Sequence, residues 1–295
     1  MSPARKSLQQ HATILNTLRE FFNAREVLEV STPIISPYAV TDVFLESIAV
    51  PHYGYLQTSP EYAMKKLLAD GSGDIFQLCK CFRADECGRL HKPEFTMLEW
   101  YRVGFDHHQL MDEMDGLLQT VLHCGVAQRL TYQQVFQHML SLDPLVATAD
   151  DLNATCKQQQ IDLVGVENDK DDLLNVLFSH CIEPQLQQPT FIYDYPASQA
   201  ALAKLNPDDS RVAQRFEVFV KGIELANGFH ELTDAKEQLQ RFEQDNQLRK
   251  QKSLPQRDID SDFLAALEKG LPNCAGVALG VDRLIMLASN KTSII

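Results

Sequence analysis

The segment from Phe82 to Tyr101 constrains this chain most, because its pattern is that of a strand, a charged loop and a returning strand. An apolar run over 75–82 leads into it, and the apolar pattern resumes at Phe95. The entrance and the loop carry groups that suit an anion such as a phosphate: Arg83, Arg89, His91 and Lys92. Taken alone, these charges are also typical of a solvated hairpin loop, and two later segments weigh against that interpretation.

The returning strand alternates between two faces, because successive side chains of a strand point in opposite directions. Glu99 and Tyr101 share one face, and Leu98 and Trp100 share the other. We expect the apolar pair in the core. This leaves a carboxylate and a phenol side by side on the opposite surface.

Length and composition are those of a globular protein with ample core, in one large domain or two small ones. The chain has 295 residues, of which 44% are hydrophobic and 23% are charged. Its 40 acidic and 27 basic residues give a net charge of −13. Because binding to nucleic-acid phosphates depends on clustered Lys and Arg, this balance argues against a general nucleic-acid binder.

The seven cysteines, an odd number without a C-x-x-C motif, argue against a disulfide framework and a zinc ribbon. Cys79 and Cys81 lie in the apolar run and are expected to be buried thiols rather than metal ligands. The first ten residues contain no apolar signal core, and no run reaches the roughly 18 apolar residues of a membrane span. We therefore expect a cytoplasmic protein.

The chain before the hairpin predicts two helices. The first has apolar positions at helical spacing, and the extended segment after it ends at Pro33. These positions are Leu8, Ala12, Leu15, Leu18 and Phe22. Both a core position and a subunit interface fit that arrangement.

In the second helix Ser59 is a plausible N-cap and Pro60 fits the first helical position. Glu61 then either complements the helix dipole or serves a site.

Residues 106–188 have a mostly helical pattern and no catalytic constellation, so we interpret them as an insertion between sheet strands. Within this region Thr131 and Gln134 have the spacing of a capping box.

Glu217 and Glu224 form the second informative pattern. They are seven residues apart, so a straight strand would place them on opposite faces. A turn at 221–222 would bring them onto facing strands. Two carboxylates are suited to Mg²⁺ once phosphate oxygens complete its shell. An exposed amphipathic hairpin is the alternative interpretation.

Asn227, Phe229 and Glu231 alternate onto one face just beyond that turn. An amide, an aromatic ring and a carboxylate are suited to an ammonium group through hydrogen bonding, cation–π contact and charge pairing.

The third pattern is the stretch 276–288, in which small residues alternate before an apolar helix. Gly276, Ala278 and Gly280 would let a strand lie close to a flat ligand, and Arg283 begins the helix. Such spacing also permits tight helix–sheet packing, so it is a weak signal alone.

Together and in this order, these segments resemble the three signature motifs of class II aminoacyl-tRNA synthetases of the lysyl type. The segment 30–33 is similar to motif 1, 82–100 to motif 2 and 276–283 to motif 3. The resemblance implies an α+β fold over 1–295, with an antiparallel sheet flanked by helices and dimerisation through the segment around Pro33.

The resemblance also implies roles for individual residues. Arg83 and Arg283 are implied to be catalytic residues that contact ATP. Glu217 and Glu224 are implied to bind Mg²⁺. ATP binding further involves Asp85, His91, Lys92, Glu224, Leu225 and Gly280. A lysine-like substrate is bound by Ser59, Glu61, Glu99, Tyr101, Asn227, Phe229, Glu231 and Ala278. The implied reaction forms an acyl-adenylate and pyrophosphate.

One departure narrows the resemblance. Only about thirty residues precede motif 1, too few for the anticodon-binding barrel of lysyl-tRNA synthetases. The chain therefore resembles the elongation factor P lysine ligases, a paralogous group that transfers (R)-β-lysine to a lysine of elongation factor P. Ala278, where lysyl synthetases have Gly, is predicted to help exclude α-lysine. tRNA is not expected as the acceptor.

Other departures lie in motif 2 and at the chain's end. Asp85 stands where the family usually has Glu on the adenine amine, a change predicted to weaken ATP binding by about 1 kcal/mol. Lys92 replaces a frequent Asn. The sequence ends soon after Arg283, so a last helix of the core is expected to be short or absent. A minimal tRNA ligase and a non-catalytic regulatory module of the same fold are the alternative functions.

Overall fold

The computed structural model describes residues 2–84, 86–163 and 169–294. Its contacts divide the chain into two compact units. The first unit runs up to His123 and resumes at Glu231, and the second unit is Cys124–His230.

The elements are given in chain order. The first unit begins with α1 (Pro3–Asn23), β1 (Leu28–Glu29), β2 (Ile35–Ser36), β3 (Ala49–Val50), β4 (Gly54–Leu56), α2 (Glu61–Ala69), β5 (Ile75–Phe82), β6 (Glu94–Val103) and α3 (His107–Leu122). The second unit contains β7 (Gln128–Thr131), α4 (Tyr132–Leu140), α5 (Ala149–Gln158), α6 (Lys170–Leu177), β8 (Thr190–Pro196), β9 (Val212–Phe219) and β10 (Glu224–His230). The first unit then ends with α7 (Ala235–Gln251), α8 (Ser261–Gly270), β11 (Cys274–Gly280) and α9 (Val281–Ala288).

The strands of the first unit pair in the order β1-β5-β6-β11, with a small second sheet ordered β2-β4-β3. Only β1 and β5 run parallel among these pairs. The predicted strand–loop–strand is the antiparallel pair β5–β6. The predicted α+β fold with a mainly antiparallel sheet is confirmed.

The core of the first unit forms where α1 packs on the β5–β6 pair. The ring of Phe22 stacks on Phe76 at 4.7 Å and lies 5.1 Å from Trp100. Trp100 and Leu98 are fully buried, as their alternation predicts. Of the predicted helical face, Leu18 and Phe22 are buried in this core, whereas Leu8 is 71% exposed.

The opposite face of β6 differs from the prediction. Glu99 and Tyr101 do lie side by side, but both are buried rather than on an open surface. Two other elements of the first unit contact them: Ser59, at the start of α2, donates to Glu99, and Tyr101 pairs with Gly276 of β11. A buried carboxylate is costly without partners, so this face must supply them.

The second unit has its own sheet, β10-β9-β8-β7, in which only β7 and β8 run parallel. Its helices and β8–β9 enclose an aromatic core in which Tyr132 stacks on Phe178 at 5.6 Å. The Thr131–Gln134 capping box is confirmed at the start of α4. The predicted turn is also present, because Lys221 and Gly222 both have positive φ.

None of the described helices is both long and apolar enough to cross a bilayer.

Candidate active site

The predicted site residues fall in both units, and each set has its own geometry. In the first unit the central group is Glu99, which accepts two short hydrogen bonds. Its Oε2 accepts from Ser59 Oγ and its Oε1 from the hydroxyl of Tyr101, both at 2.6 Å. Ser59 also accepts the backbone N–H of Glu61 at 3.0 Å, although Pro60 rather than Ser59 is the N-cap of α2. The carboxylate of Glu99 is therefore held in one orientation.

Lys65 is a buried cation that sequence reasoning missed. Its Nζ lies 2.6 Å from Oε1 of Glu61 and 2.6 Å from Oε2 of Glu231, and its side chain is 1% exposed. The available signal was the spacing of Glu61 and Lys65, four residues apart on α2, which places both on one helix face. Lys65 thus joins two of the predicted substrate-binding carboxylates.

Gly276 is needed for this arrangement. A methyl group at position 276 would overlap the ring of Tyr101 and lie 2.5 Å from Oε1 of Glu231. The stretch of small residues in β11 was predicted to let a strand approach a flat ligand. At Gly276 the space is taken by the chain's own Tyr101 and Glu231.

Ala278 and Gly280 continue the same strand face. Ala278 pairs directly with Glu99, and Gly280 with Met97. Residues directly opposite one another in an antiparallel pair point to the same side of the sheet. The methyl group of Ala278 therefore lies on the face of Glu99.

The charges of this cluster shift its acid–base equilibria. Burial, reinforced by the charge of Glu61, raises the pKa of Glu99 to about 7. Burial also raises the pKa of Glu231 to about 8, although the neighbouring Lys65 opposes that rise. Burial alone would lower the pKa of Lys65, but the charges of Glu231 and Glu61 outweigh it and raise that pKa. Three carboxylates thus face one lysine, and the excess negative charge favours a cationic ligand.

The predicted ATP-contacting groups of the first unit lie around the β5–β6 loop. The guanidinium of Arg83 lies over the Phe95 ring at 5.0 Å and 3.4 Å from Glu86. Arg283, at the start of α9, donates to Nε2 of His91 at 2.5 Å and to the carbonyl of Leu90 at 3.3 Å.

His91 is therefore an acceptor for Arg283. Burial and the positive charges of Arg283 and Arg83 lower the pKa of His91, so the ring is neutral near pH 7. Lys92 is exposed in the same loop. Asp85, the residue that departs from the family pattern, lies outside the described residues.

In the second unit Glu217 is already paired. Its Oε1 lies 2.5 Å from Nη2 of Arg215, and its Oε2 accepts from the hydroxyl of Tyr195 at 2.7 Å. Arg215 also donates to Oδ1 of Asn227 at 3.2 Å and lies over the Tyr195 ring. Sequence reasoning did not identify Arg215, although it stands two residues before Glu217 on the same strand face.

Glu224 reaches the face of Glu217 through a β-bulge. Glu224 pairs with Phe219 and Asn227 pairs with Glu217, with a register shift between Glu224 and Ala226. Since Phe219 and Glu217 are two residues apart and share a face, Glu224 points to that side as well.

Glu217 and Glu224 share a face, but both oxygens of Glu217 are bonded to Arg215 and Tyr195, so the binding of Mg²⁺ by this pair stays a prediction. Within the described ranges, no group of three His, Cys, Asp or Glu residues forms a self-sufficient metal site. Mg²⁺ in phosphate-transferring sites typically takes one or two carboxylates and several phosphate or water oxygens. Nearby, Phe229 packs on the alanines 200, 203 and 213.

Comparisons with known proteins define the class. The model of the class II tRNA synthetase family (D, K and N) matches residues 2–295, and the chain belongs to that family. More particularly, it is similar to proteins named elongation factor P–(R)-beta-lysine ligase. Those of Vibrio parahaemolyticus and Vibrio atlanticus are 55% and 56% identical, over 96% of this chain and 91% of theirs. That of Salmonella paratyphi A is 53% identical over 98% of this chain and 92% of its own.

Replacing Lys65 by Met should destabilise the protein by about 3–5 kcal/mol, because it leaves Glu61 and Glu231 without their buried counter-charge. Urea denaturation measures this loss. The matched control is Lys80→Met, since Lys80 is half-exposed and lies 3.5 Å from an exposed Glu94. The control should cost at most about 1 kcal/mol. Equal losses in the two variants would show that Lys65 is not the charge on which the cluster depends.

The free energy of unfolding of the ligand-free protein should fall between pH 5 and pH 8, in part through Glu99. Its pKa is raised from 4.5 to about 7, so the folded protein retains a proton that the unfolded chain releases in this window. Stability therefore decreases as the pH rises. Glu99→Gln should remove a contribution on the order of 2 kcal/mol from that decrease. Glu94→Gln, at an exposed position, should leave the pH dependence as in the wild type, and an unchanged pH dependence in Glu99→Gln would contradict the assignment.

Proposed function

We propose that this chain activates (R)-β-lysine with ATP and transfers it to a lysine side chain of elongation factor P. The observation that carries the proposal is the buried cluster of Glu61, Glu99 and Glu231 around Lys65, whose excess negative charge suits a small diamine. The family and the names of the relatives support the same reaction.

In the first step a carboxylate oxygen of the amino acid attacks the α-phosphorus of ATP. An acyl-adenylate forms and pyrophosphate leaves. In the second step the acceptor's lysine nitrogen attacks the acyl carbon, an amide bond forms and AMP leaves. No side chain of this protein needs to act as a nucleophile, so its contribution is alignment and charge stabilisation.

The residues divide accordingly. We assign phosphate contacts to Arg83 and Arg283, and the neutral ring of His91 keeps the Arg283 guanidinium in place. ATP binding further falls to Lys92, Leu225, Gly280 and Asp85. The ammonium groups of the substrate are assigned to Ser59, Glu61, Glu99, Tyr101, Asn227, Phe229 and Glu231. Glu217 and Glu224 would hold Mg²⁺, which supplies positive charge to phosphate oxygens.

Three further assignments belong to the proposal. Exposed apolar side chains around Pro33, among them Leu28 at 58% exposure, support a homodimer through this segment. The net charge of −13 argues against tRNA as the acceptor. The names of the relatives contain a translation factor, elongation factor P, and this supports a cytoplasmic location.

The acceptor is tested by supplying ATP with labelled α- or (R)-β-lysine and offering tRNA and elongation factor P together. We expect label on elongation factor P. Label on tRNA alone would favour the minimal tRNA ligase, and absence of pyrophosphate exchange with either amino acid would favour a non-catalytic module.

In the same pyrophosphate-exchange assay Arg83→Ala should reduce exchange at least about 100-fold, as loss of transition-state charge stabilisation does. Arg211→Ala is the control, because its exposed guanidinium pairs with Asp209 in the second unit.

The preference between the two amino acids depends, we propose, on the methyl group of Ala278 beside Glu99. Ala278→Gly should lower the ratio of pyrophosphate exchange with (R)-β-lysine to exchange with α-lysine about tenfold, since one methyl group in a pocket usually changes selectivity by that factor. Ala275→Gly, on the other face of β11, should leave the ratio unchanged. Equal ratios in the wild type and Ala278→Gly would show that the discrimination lies elsewhere.

A further inference from the structure

We propose that Cys79, Cys81 and Met97 form a binding site for a soft monovalent metal ion of the copper(I) class. The three sulfur atoms lie on one face of the β5–β6 pair. Cys79 Sγ is 3.9 Å from Cys81 Sγ, and Cys81 Sγ is 3.9 Å from Met97 Sδ. Cys79 and Met97 are direct cross-strand partners, so their side chains lie on the same side of the sheet.

The dimensions suit a three-coordinate ion. Metal–sulfur bonds to thiolates are about 2.3 Å long, and three sulfurs at that distance in a trigonal plane are about 4.0 Å apart. Both measured separations are close to this value. The backbone of the two strands therefore holds Cys81 at a suitable separation from each of the other two sulfurs.

The donor set selects the ion. Two thiolates and a thioether are soft ligands that favour copper(I), whereas zinc sites are built from thiolate, imidazole and carboxylate. On binding, the thiols of Cys79 and Cys81 each release a proton to solvent, and Met97 coordinates as a neutral ligand. The ion enters already as copper(I), so no electron is transferred.

The surroundings provide access and a supporting contact. Cys79 is half-buried, whereas Cys81 and Met97 are buried in the core. Nε2 of Gln57 approaches Cys79 Sγ at 3.4 Å as a donor, a contact that orients and stabilises a ligating sulfur.

Occupation of this site should inhibit amino-acid activation, a consequence that rests on the proposed function. Met97 is two residues from Glu99 on the same face of β6, and the charge of Glu99 already acts on both thiols. A cation there competes electrostatically with the ammonium group of the substrate.

Anaerobic titration with copper(I), buffered by bicinchoninate as a competing chelator, tests the site on the whole protein. We expect Cys79→Ser/Cys81→Ser to lose one bound ion, and Met97→Leu to bind that ion about tenfold more weakly, since losses of supporting ligands cost 10- to 100-fold. Met97→Leu conserves volume and keeps the fold, which circular dichroism verifies. Cys87→Ser and Met111→Leu are controls for an exposed thiol and a buried thioether away from the site.

The same copper(I) stoichiometry in the wild type and the double Ser variant would overturn the site, as would an affinity of Met97→Leu equal to that of Met111→Leu. Inhibition is measured as the ratio of pyrophosphate exchange with and without one equivalent of copper(I) in each protein. We expect the ratio to fall in the wild type and to stay near one in the double variant. Binding without loss of exchange would refute the inhibition. Absence of exchange in copper-free protein assayed with Mg²⁺ would instead contradict the proposed function.

Discussion

The candidate site depends on one buried ammonium group. Lys65 lies within 2.6 Å of two carboxylates that would otherwise repel each other in a space from which water is excluded. This arrangement lets α2 and the chain at Glu231 approach β6 and β11. The lysine leaves the cluster acidic, so it organises the carboxylates without satisfying all their charge. A substrate ammonium group would complete the neutralisation that Lys65 begins.

The close packing around this charge explains why the strand β11 carries small residues. At Gly276 the missing side chain leaves room for Tyr101 and Glu231, and at Ala278 one methyl group remains beside Glu99. The hydroxyl of Tyr101 in turn fixes one oxygen of Glu99. Small side chains on one strand thus set the positions of large polar ones on its neighbour.

The sequence predicted the β5–β6 hairpin, the α+β class and the family, because period-two alternation and three motifs in order are local signals. The partners of the charged residues were predicted less well. Lys65 was missed because its counter-charge at Glu231 lies 166 positions away in the sequence. Arg215 was missed although strand alternation places it on the face of Glu217, two residues along β9. Helical spacing in α1 predicted a shared face but could not show how far the core extends along it, and Leu8 is exposed. Glu99 and Tyr101 were placed side by side correctly, yet only tertiary packing decides that their face is covered.

The register shift between Glu224 and Ala226 has a consequence for how this family can change length. Glu224 and Asn227 are three positions apart, a spacing that places residues of a regular strand on opposite sides. They share a side only because Leu225 is the extra residue of the bulge. Loss of that single residue would restore a regular ladder and turn either the carboxylate or the amide to the opposite side of the sheet from Glu217. One inserted residue therefore decides whether Glu224 and Asn227 share the side of Glu217.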